Sequence, residues 1–221
     1  MTSIVTFSGW GQQYDSLDII APKANHIAYG HLENIDDLFQ KIGHIECDIL
    51  IGWSLGGQIS LRAIDKKIIK TKKLVLISTP FQFVEGRGVK GGLSSEYFTK
   101  FQSDFSDDPI KTLNQFSLLV ARNDKNQKEI IKTLRKNDPE ELNWKYWLNE
   151  LESFSCNFIN FDNIPETLII HGREDSIVDI AQTGVFIPLI KECQRVILDQ
   201  CSHAPHLHDP KYVKELIYTD S

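Results

Sequence analysis

The sequence predicts an α/β fold, a mostly parallel sheet covered by helices on both faces, with a helical insertion closing over one edge of the sheet. Three observations predict it. Short aliphatic and β-branched runs recur along the chain, helix-length stretches separate most of them, and the alternation stops after Ser78 and resumes only near Thr167. With 221 residues and 41% hydrophobic content, the chain can bury one sizeable core.

The runs at residues 4–7, 26–29, 48–52, 73–78, 167–171 and 195–198 read as short buried strands. Helices are expected at 36–42, 55–64, 181–190 and 210–217, and strands alternating with helices imply parallel pairing. The interrupting stretch holds a Gly-rich loop (Gly86, Gly88, Gly91, Gly92) and four helix-like segments at 94–102, 109–121, 125–136 and 139–151. The expected organisation is a core of residues 1–80 and 162–221 with a helical cap at 81–161. A parallel sheet places its ligand site at the carboxyl ends of its strands.

Charge and composition exclude several functions. Lys and Arg number 24 against 30 Asp and Glu, for a net charge of -6, which argues against a general nucleic-acid binder. No stretch approaches the roughly 18 unbroken apolar residues of a membrane span. The first residues form a β-type run that leads into Gly9-Trp10-Gly11, not into a cleavage site. A soluble, cytoplasmic, monomeric protein is expected. Cys47, Cys156, Cys193 and Cys201 are far apart without a Cys-x-x-Cys pair, so reduced thiols are expected and neither a metal nor a cofactor is.

Residues 48–52 run into Gly52-Trp53-Ser54-Leu55-Gly56-Gly57 and then into a helix. This strand, sharp turn and helix is the setting of a G-x-S-x-G nucleophile elbow. The glycines leave room for a strained turn that exposes the serine hydroxyl at a helix amino terminus. No Lys follows as in a phosphate-binding loop.

A serine hydroxyl needs a base within hydrogen-bond reach. Of the seven histidines, His203 is the candidate, in the short loop between the last strand and the last helix. His26, His31 and His44 suit surface or packing roles, and His171, at a strand end, suits the core or a supporting contact. His203, His206 and His208 spell His-x-x-His-x-His, but Pro205 and Pro210 make a regular element there unexpected, and metal ligation with it. Asp175, in the turn Gly172-Arg173-Glu174-Asp175, is the candidate acid that orients the base, with Glu174 a competitor. The order Ser54, Asp175, His203 is that of α/β-hydrolase triads. Two backbone N–H groups should face the oxyanion, one from Leu55 and the other from Trp10 in the loop after the first strand.

These residues resemble the pimeloyl-acyl-carrier-protein methyl ester esterases of biotin synthesis (BioH type), members of the α/β-hydrolase superfamily. The likeness rests on Gly9-Trp10-Gly11, the Gly52 to Gly57 elbow, Gly172 through Val178 and His203-Ala204-Pro205. A weaker block is Phe101-Gln102 with Ser106-Asp107-Asp108. The resemblance implies an α/β-hydrolase fold, the triad Ser54, Asp175 and His203, and oxyanion donors at Trp10 and Leu55. It also implies hydrolysis of a methyl ester on a pimeloyl chain held by acyl carrier protein. The sequence departs from the family in opening directly at the strand before Gly9, without the usual antiparallel hairpin, and in having Ser8 where His is usual.

On a helical wheel, Arg122, Lys125, Lys128, Lys132, Arg135 and Lys136 share one arc, opposite Ile130, Ile131 and Leu134. Such a stripe suits docking of an acidic partner such as acyl carrier protein, and it equally suits an ordinary solvated face. Trp53, Phe81, Phe83, Phe116, Trp144 and Trp147 are candidates for an acyl channel or for plain core. The triad alone leaves open a thioesterase, a generic short-chain esterase, a lyase, or a silent binding module on the same fold.

Overall fold

The computed structural model describes residues 2–135 and 143–219. Among these, six strands form one sheet: β1 (Ile4–Phe7), β2 (Asn25–His26), β3 (Ile45–Trp53), β4 (Ile69–Ile77), β5 (Glu166–Gly172) and β6 (Cys193–Leu198). Their order is β2-β1-β3-β4-β5-β6 and every pairing is parallel. The second half of β4, Leu74 to Ile77, is wholly buried, as a strand covered on both faces must be. Its first half carries Lys70, Lys72 and Lys73, and exposes Lys70 and Lys72.

Helices alternate with these strands, and side chains cap the starts of Ile35–Ile42, Ser95–Asp107, Pro109–Val120 and Pro210–Tyr218. In α1 (Ile35–Ile42), Asn34 accepts from the N–H groups of Asp36 and Asp37, and Gly43 closes the helix at φ 60°. Helix α2 (Leu55–Asp65) follows β3 without a linker and packs against β1, β3 and β4. Between β4 and β5 lie α3 (Ser95–Asp107), α4 (Pro109–Val120), α5 (Gln127–Leu134) and α6 (Trp144–Ser153). Asp108 ends α3 and caps α4, accepting from Lys111 N at 3.0 Å just ahead of Pro109. The last elements are α7 (Thr183–Phe186), α8 (Pro205–His208) and α9 (Pro210–Tyr218).

Several expectations need correction. The strand expected at 26–29 pairs only over Asn25–His26. The helix expected at 181–190 is a 3-10 turn, Ile180–Gln182, followed by the single turn of α7, and gives way to turns at 187–189, where Ile187 and Leu189 are exposed and offer no apolar face for a longer helix to bury. Helix α5 begins at Gln127, so Arg122 and Lys125 lie in the preceding turn and not on its wheel. Pro205 and Pro210 each take the first position of a helix, where a missing N–H costs nothing, so a regular element does form over His206 and His208. Lys136 and residues 139–142 of the expected fourth segment fall outside the described residues.

The insertion is tied to the sheet by Trp10, which follows β1. Its ring is buried and meets those of Phe101, Phe105, Phe116 and Trp144 edge-on at 5.2 to 6.3 Å, and its Nε1–H donates to the Trp144 carbonyl at 2.8 Å. An ion pair between Arg62 of α2 and Glu150 of α6 adds a second tie.

Candidate active site

The register of the sheet aligns the carboxyl ends of its strands: Phe7 pairs with Gly52, Trp53 with Ile77, Ile77 with Ile170, and Gly172 with Leu198. Trp10, Ser54, Asp175 and His203 all follow these ends within a few residues and therefore share one rim.

Ser54 sits between β3 and α2 at φ 54°, ψ -118°, a region that costs a non-glycine residue on the order of 1 to 3 kcal/mol. The surrounding glycines show what enforces it. A Cβ on Gly52 would lie 2.5 Å from the Gly56 carbonyl, one on Gly56 2.2 Å from the Phe7 carbonyl, and one on Gly57 1.9 Å from Thr79 Oγ1. The turn is thus locked between the ends of β1 and β4. The Ser54 side chain does not cap its helix. Leu55 N–H, in the first turn, has no intrahelical acceptor. Gly9 brings the β1 loop over the serine, since a Cβ there would stand 3.6 Å from Ser54 Cβ. Neither Trp10 N nor Leu55 N donates a backbone hydrogen bond among the described residues.

His203 Nδ1 lies 2.7 Å from Asp175 Oδ2, and both side chains are buried. A carboxylate only accepts, so the imidazole proton sits on Nδ1 and the lone pair of neutral His203 is on Nε2. Nε2 is buried without a hydrogen-bond partner. Trp53, next to Ser54, donates from Nε1 to the His203 carbonyl at 2.9 Å, which fastens the elbow to the base loop. Glu174, the competing acid, is exposed and contributes only its N–H, to the Cys201 carbonyl at 2.8 Å.

Asp175 is held from three further directions. Ile177 N and Val178 N donate to Oδ1 at 2.9 and 3.0 Å. His171, fully buried, places Nε2 3.2 Å from Oδ2 and 2.9 Å from the Val178 carbonyl. Burial opposes the Asp175 charge, but His203 and His171 outweigh it and hold the carboxyl well below the usual carboxylate range. The two N–H donors and His171 were not singled out as partners of the acid. The four-residue spacing of His171, at the end of β5, and Asp175, in the turn that follows, is a signal that could have found His171.

The remaining histidines have separate surroundings. His26 bonds Thr6 Oγ1, His31 meets Lys41, and His44 bonds the Lys67 carbonyl. His206 is buried edge-on to Trp53, with ring centroids 4.4 Å apart and no partner for either nitrogen. His208 Nδ1 is 2.9 Å from Asp124 Oδ1. Ligand atoms of Asp124, Cys201 and His208 lie within 4.8 Å of one another. They fit a hydrogen-bonded cluster better than an ion, because Asp124 already accepts from Ser202 and Asn126 and burial pushes the Cys201 thiol up, away from thiolate.

Of the basic residues, Arg122, Lys125, Lys128, Lys132 and Arg135 are all exposed. Of the aromatic residues proposed for a channel, Phe83 and Phe116 line a cavity of about 220 Å³ that Ser176 and Ile177 of the acid turn bound and Arg122 flanks. Trp144 lines a different cavity, beside Ser8 and Tyr29. Phe81 packs against Phe161 and Phe186, Trp147 against Tyr29, and Trp53 against His203 and His206, all as core.

Residues 4–216 match the model of the alpha/beta hydrolase family. The chain is 26% identical over 165 residues to the pimeloyl-[acyl-carrier protein] methyl ester esterase of Nitrosomonas europaea, covering 72% of this chain and 66% of that protein. The corresponding esterase of Wigglesworthia glossinidia brevipalpis is 29% identical over 174 residues, 73% of this chain and 65% of its own length. The biotin biosynthesis bifunctional protein BioHC of Teredinibacter turnerae is 26% identical over 181 residues, with 76% of this chain and 32% of that protein matched. The chain thus spans about a third of the bifunctional protein and just under two thirds of the two esterases. Among solved structures, an esterase from Exiguobacterium antarcticum superposes with a TM-score of 0.79 at 15% identity, covering 98% of this chain and 91% of that one. The enol-lactonase of Burkholderia xenovorans gives 0.74 at 16%, covering 98% and 89%. These two likenesses concern the fold. No described helix is long and apolar enough to cross a membrane.

Proposed function

Because this chain belongs to the alpha/beta hydrolase family, we propose that it is a serine carboxylesterase acting on the methyl ester of a pimeloyl chain carried by acyl carrier protein, in biotin synthesis. The observation that carries the chemistry is the His203 to Asp175 hydrogen bond of 2.7 Å, which leaves a buried, unpartnered Nε2 on a loop fastened to the serine turn through Trp53. The substrate follows from the relatives, whose names specify that ester.

In the mechanism, Ser54 Oγ attacks the ester carbonyl while His203 Nε2 takes its proton. Asp175 holds the imidazole in that tautomer and stabilises the imidazolium as it forms. Trp10 N–H and Leu55 N–H receive the oxyanion. As the tetrahedral adduct collapses, His203 returns the proton to the leaving methoxide and methanol departs. Water, deprotonated by His203, attacks the acyl-enzyme through a second tetrahedral adduct, which frees the acid and regenerates Ser54. No hydrogen bond joins Ser54 Oγ to His203 Nε2 among the described residues, and the reaction requires that contact to form when substrate fills the site.

The cavity between Phe83, Phe116 and Ile177 suits an extended acyl chain, and Arg122, Lys125, Lys128, Lys132 and Arg135 offer an exposed basic face for an acidic carrier. The test is to incubate the protein with pimeloyl-acyl-carrier-protein methyl ester and weigh the carrier by mass spectrometry. A mass lower by one methylene is expected with the wild type and no change with Ser54→Ala. Cleavage by Ser54→Ala would overturn the mechanism. Cleavage of a free methyl ester with the carrier-bound one untouched would overturn the substrate and leave a short-chain esterase.

A further inference from the structure

We infer that Asp124 and His208 form a second buried Asp–His pair that positions the loop carrying His203, which makes Asp124 a positioning residue for the base. This rests on the assignment of His203 as base. The pair stands apart from the triad: Asp124 lies in the turn between α4 and α5, and His208 at the end of α8.

The Asp124 side chain is fully buried and both its oxygens are engaged. Oδ1 accepts from Asn126 N at 2.8 Å and from His208 Nδ1 at 2.9 Å. Oδ2 accepts from Ser202 N at 2.8 Å and Ser202 Oγ at 3.1 Å. Ser202 is the residue before His203, so the carboxylate fixes the Cys201–Ser202 peptide that leads into the base. Its neighbours repeat the arrangement. The Val120 carbonyl accepts from His203 N at 3.2 Å and Ser202 Oγ at 2.7 Å. Lys125 N donates to the carbonyl of Gln200, a non-glycine residue held at φ 56°. Asn126 Nδ2 donates to the His208 carbonyl at 2.8 Å.

The loop from Gln200 to His208 is therefore held by two separate bodies. The core supplies Asp175, Trp53 and the close approach at Gly172, where a Cβ would meet the Ser202 carbonyl at 2.0 Å. The turn between α4 and α5 supplies the rest. Catalysis tolerates little error here, since a displacement of about 1 Å can cost on the order of a hundredfold in rate. A carboxylate is the group this position needs: three N–H donors, from Asn126, His208 and Ser202, point at its two oxygens, while the single Ser202 hydroxyl proton is shared with the nearer Val120 carbonyl, and any neutral isostere presents a donor to one of the N–H groups.

The test measures kcat and KM on a small aryl ester, which bypasses any carrier docking, for Asp124→Asn, His208→Leu and His208→Asn, with His203→Ala as reference and thermal unfolding followed throughout. Asp124→Asn keeps the shape but turns an amide N–H toward Ser202 N or toward Asn126 N and His208. It is expected to lower kcat on the order of 10- to 100-fold with a much smaller change in KM. His208→Leu is expected to do the same, and His208→Asn, whose amide can donate in place of Nδ1–H, to recover most of the loss. Unchanged kcat in Asp124→Asn and His208→Leu beside an inactive His203→Ala would overturn the inference. So would equal losses in His208→Leu and His208→Asn, which would make His208 a packing residue. Activity in His203→Ala would instead overturn the assignment of the base.

Discussion

His206 is a buried imidazole whose nitrogens have no partner, three residues after the candidate base His203. Burial, together with the positive charge that His203 carries when protonated, pushes its pKa down from 6.5 to about 3. Between those values the unfolded chain binds a proton that the folded one refuses, so folding stability falls as pH drops through this window. The slope is about 1.4 kcal/mol per pH unit, which amounts to about 2 kcal/mol by pH 5. His206→Phe preserves a ring edge-on to Trp53 and removes both the titration and the unsatisfied nitrogens. Urea unfolding followed by circular dichroism at several pH values between 7 and 5 should show the variant gaining on the wild type as pH falls, by about 2 kcal/mol over that range. A difference that stays constant with pH would refute the reasoning, because it would mean that the folded protein accommodates the imidazolium.

Three further outcomes are expected. Gly57→Ala should destabilise by about 1 to 3 kcal/mol through collision with Thr79, and Thr79→Ala should cost less in its presence than in the wild type, measured as a double-mutant cycle by urea unfolding. Asp175→Asn should keep the fold and lower kcat on a small aryl ester by on the order of 10⁴-fold, because the amide favours the tautomer with the proton on Nε2; steady-state kinetics beside a thermal melt check both halves. Reversing the charge of Lys128, Lys132 and Arg135 together should raise KM for the carrier-bound ester and spare a small aryl ester, with a difference that shrinks as salt is added; equal effects on both substrates would remove the docking face.

The parts of the fold that rest on local chemistry were legible in the sequence. The serine turn announces itself because three glycines must stand where backbone and Thr79 leave no room for a Cβ, and that constraint is written in residue types. The strand runs were legible for the same reason, since β4 needs aliphatic side chains on both faces. What was misread depended on partners distant in sequence. The edge strand β2 has a single neighbour, and two residues of pairing leave no alternating pattern. The start of α5 was misplaced because Lys125 spends its N–H on Gln200 across the molecule, a bond that no wheel contains. Pro205 and Pro210 were read as breakers although a proline at a first helical position is favourable, and whether a proline stands first or in the middle is decided by the neighbouring loop.

The same dependence on distant partners bears on what the insertion between β4 and β5 does. A lid that merely covers a site can be removed and leave the chemistry underneath intact. Here the main-chain N–H of His203, the N–H and hydroxyl of Ser202 and the Nδ1 of His208 all find their acceptors in Val120 and Asp124, inside the insertion. Trp10 finds both its ring partners and its acceptor in α3, α4 and α6. Without the insertion these groups would turn to water, which satisfies them without fixing their direction, at the rim where the candidate base and oxyanion donors stand. The insertion therefore belongs to the rigid frame of the site, and changes in substrate preference should come from the faces it turns outward, at Arg122 and along α5, more readily than from the turn that joins α4 to α5.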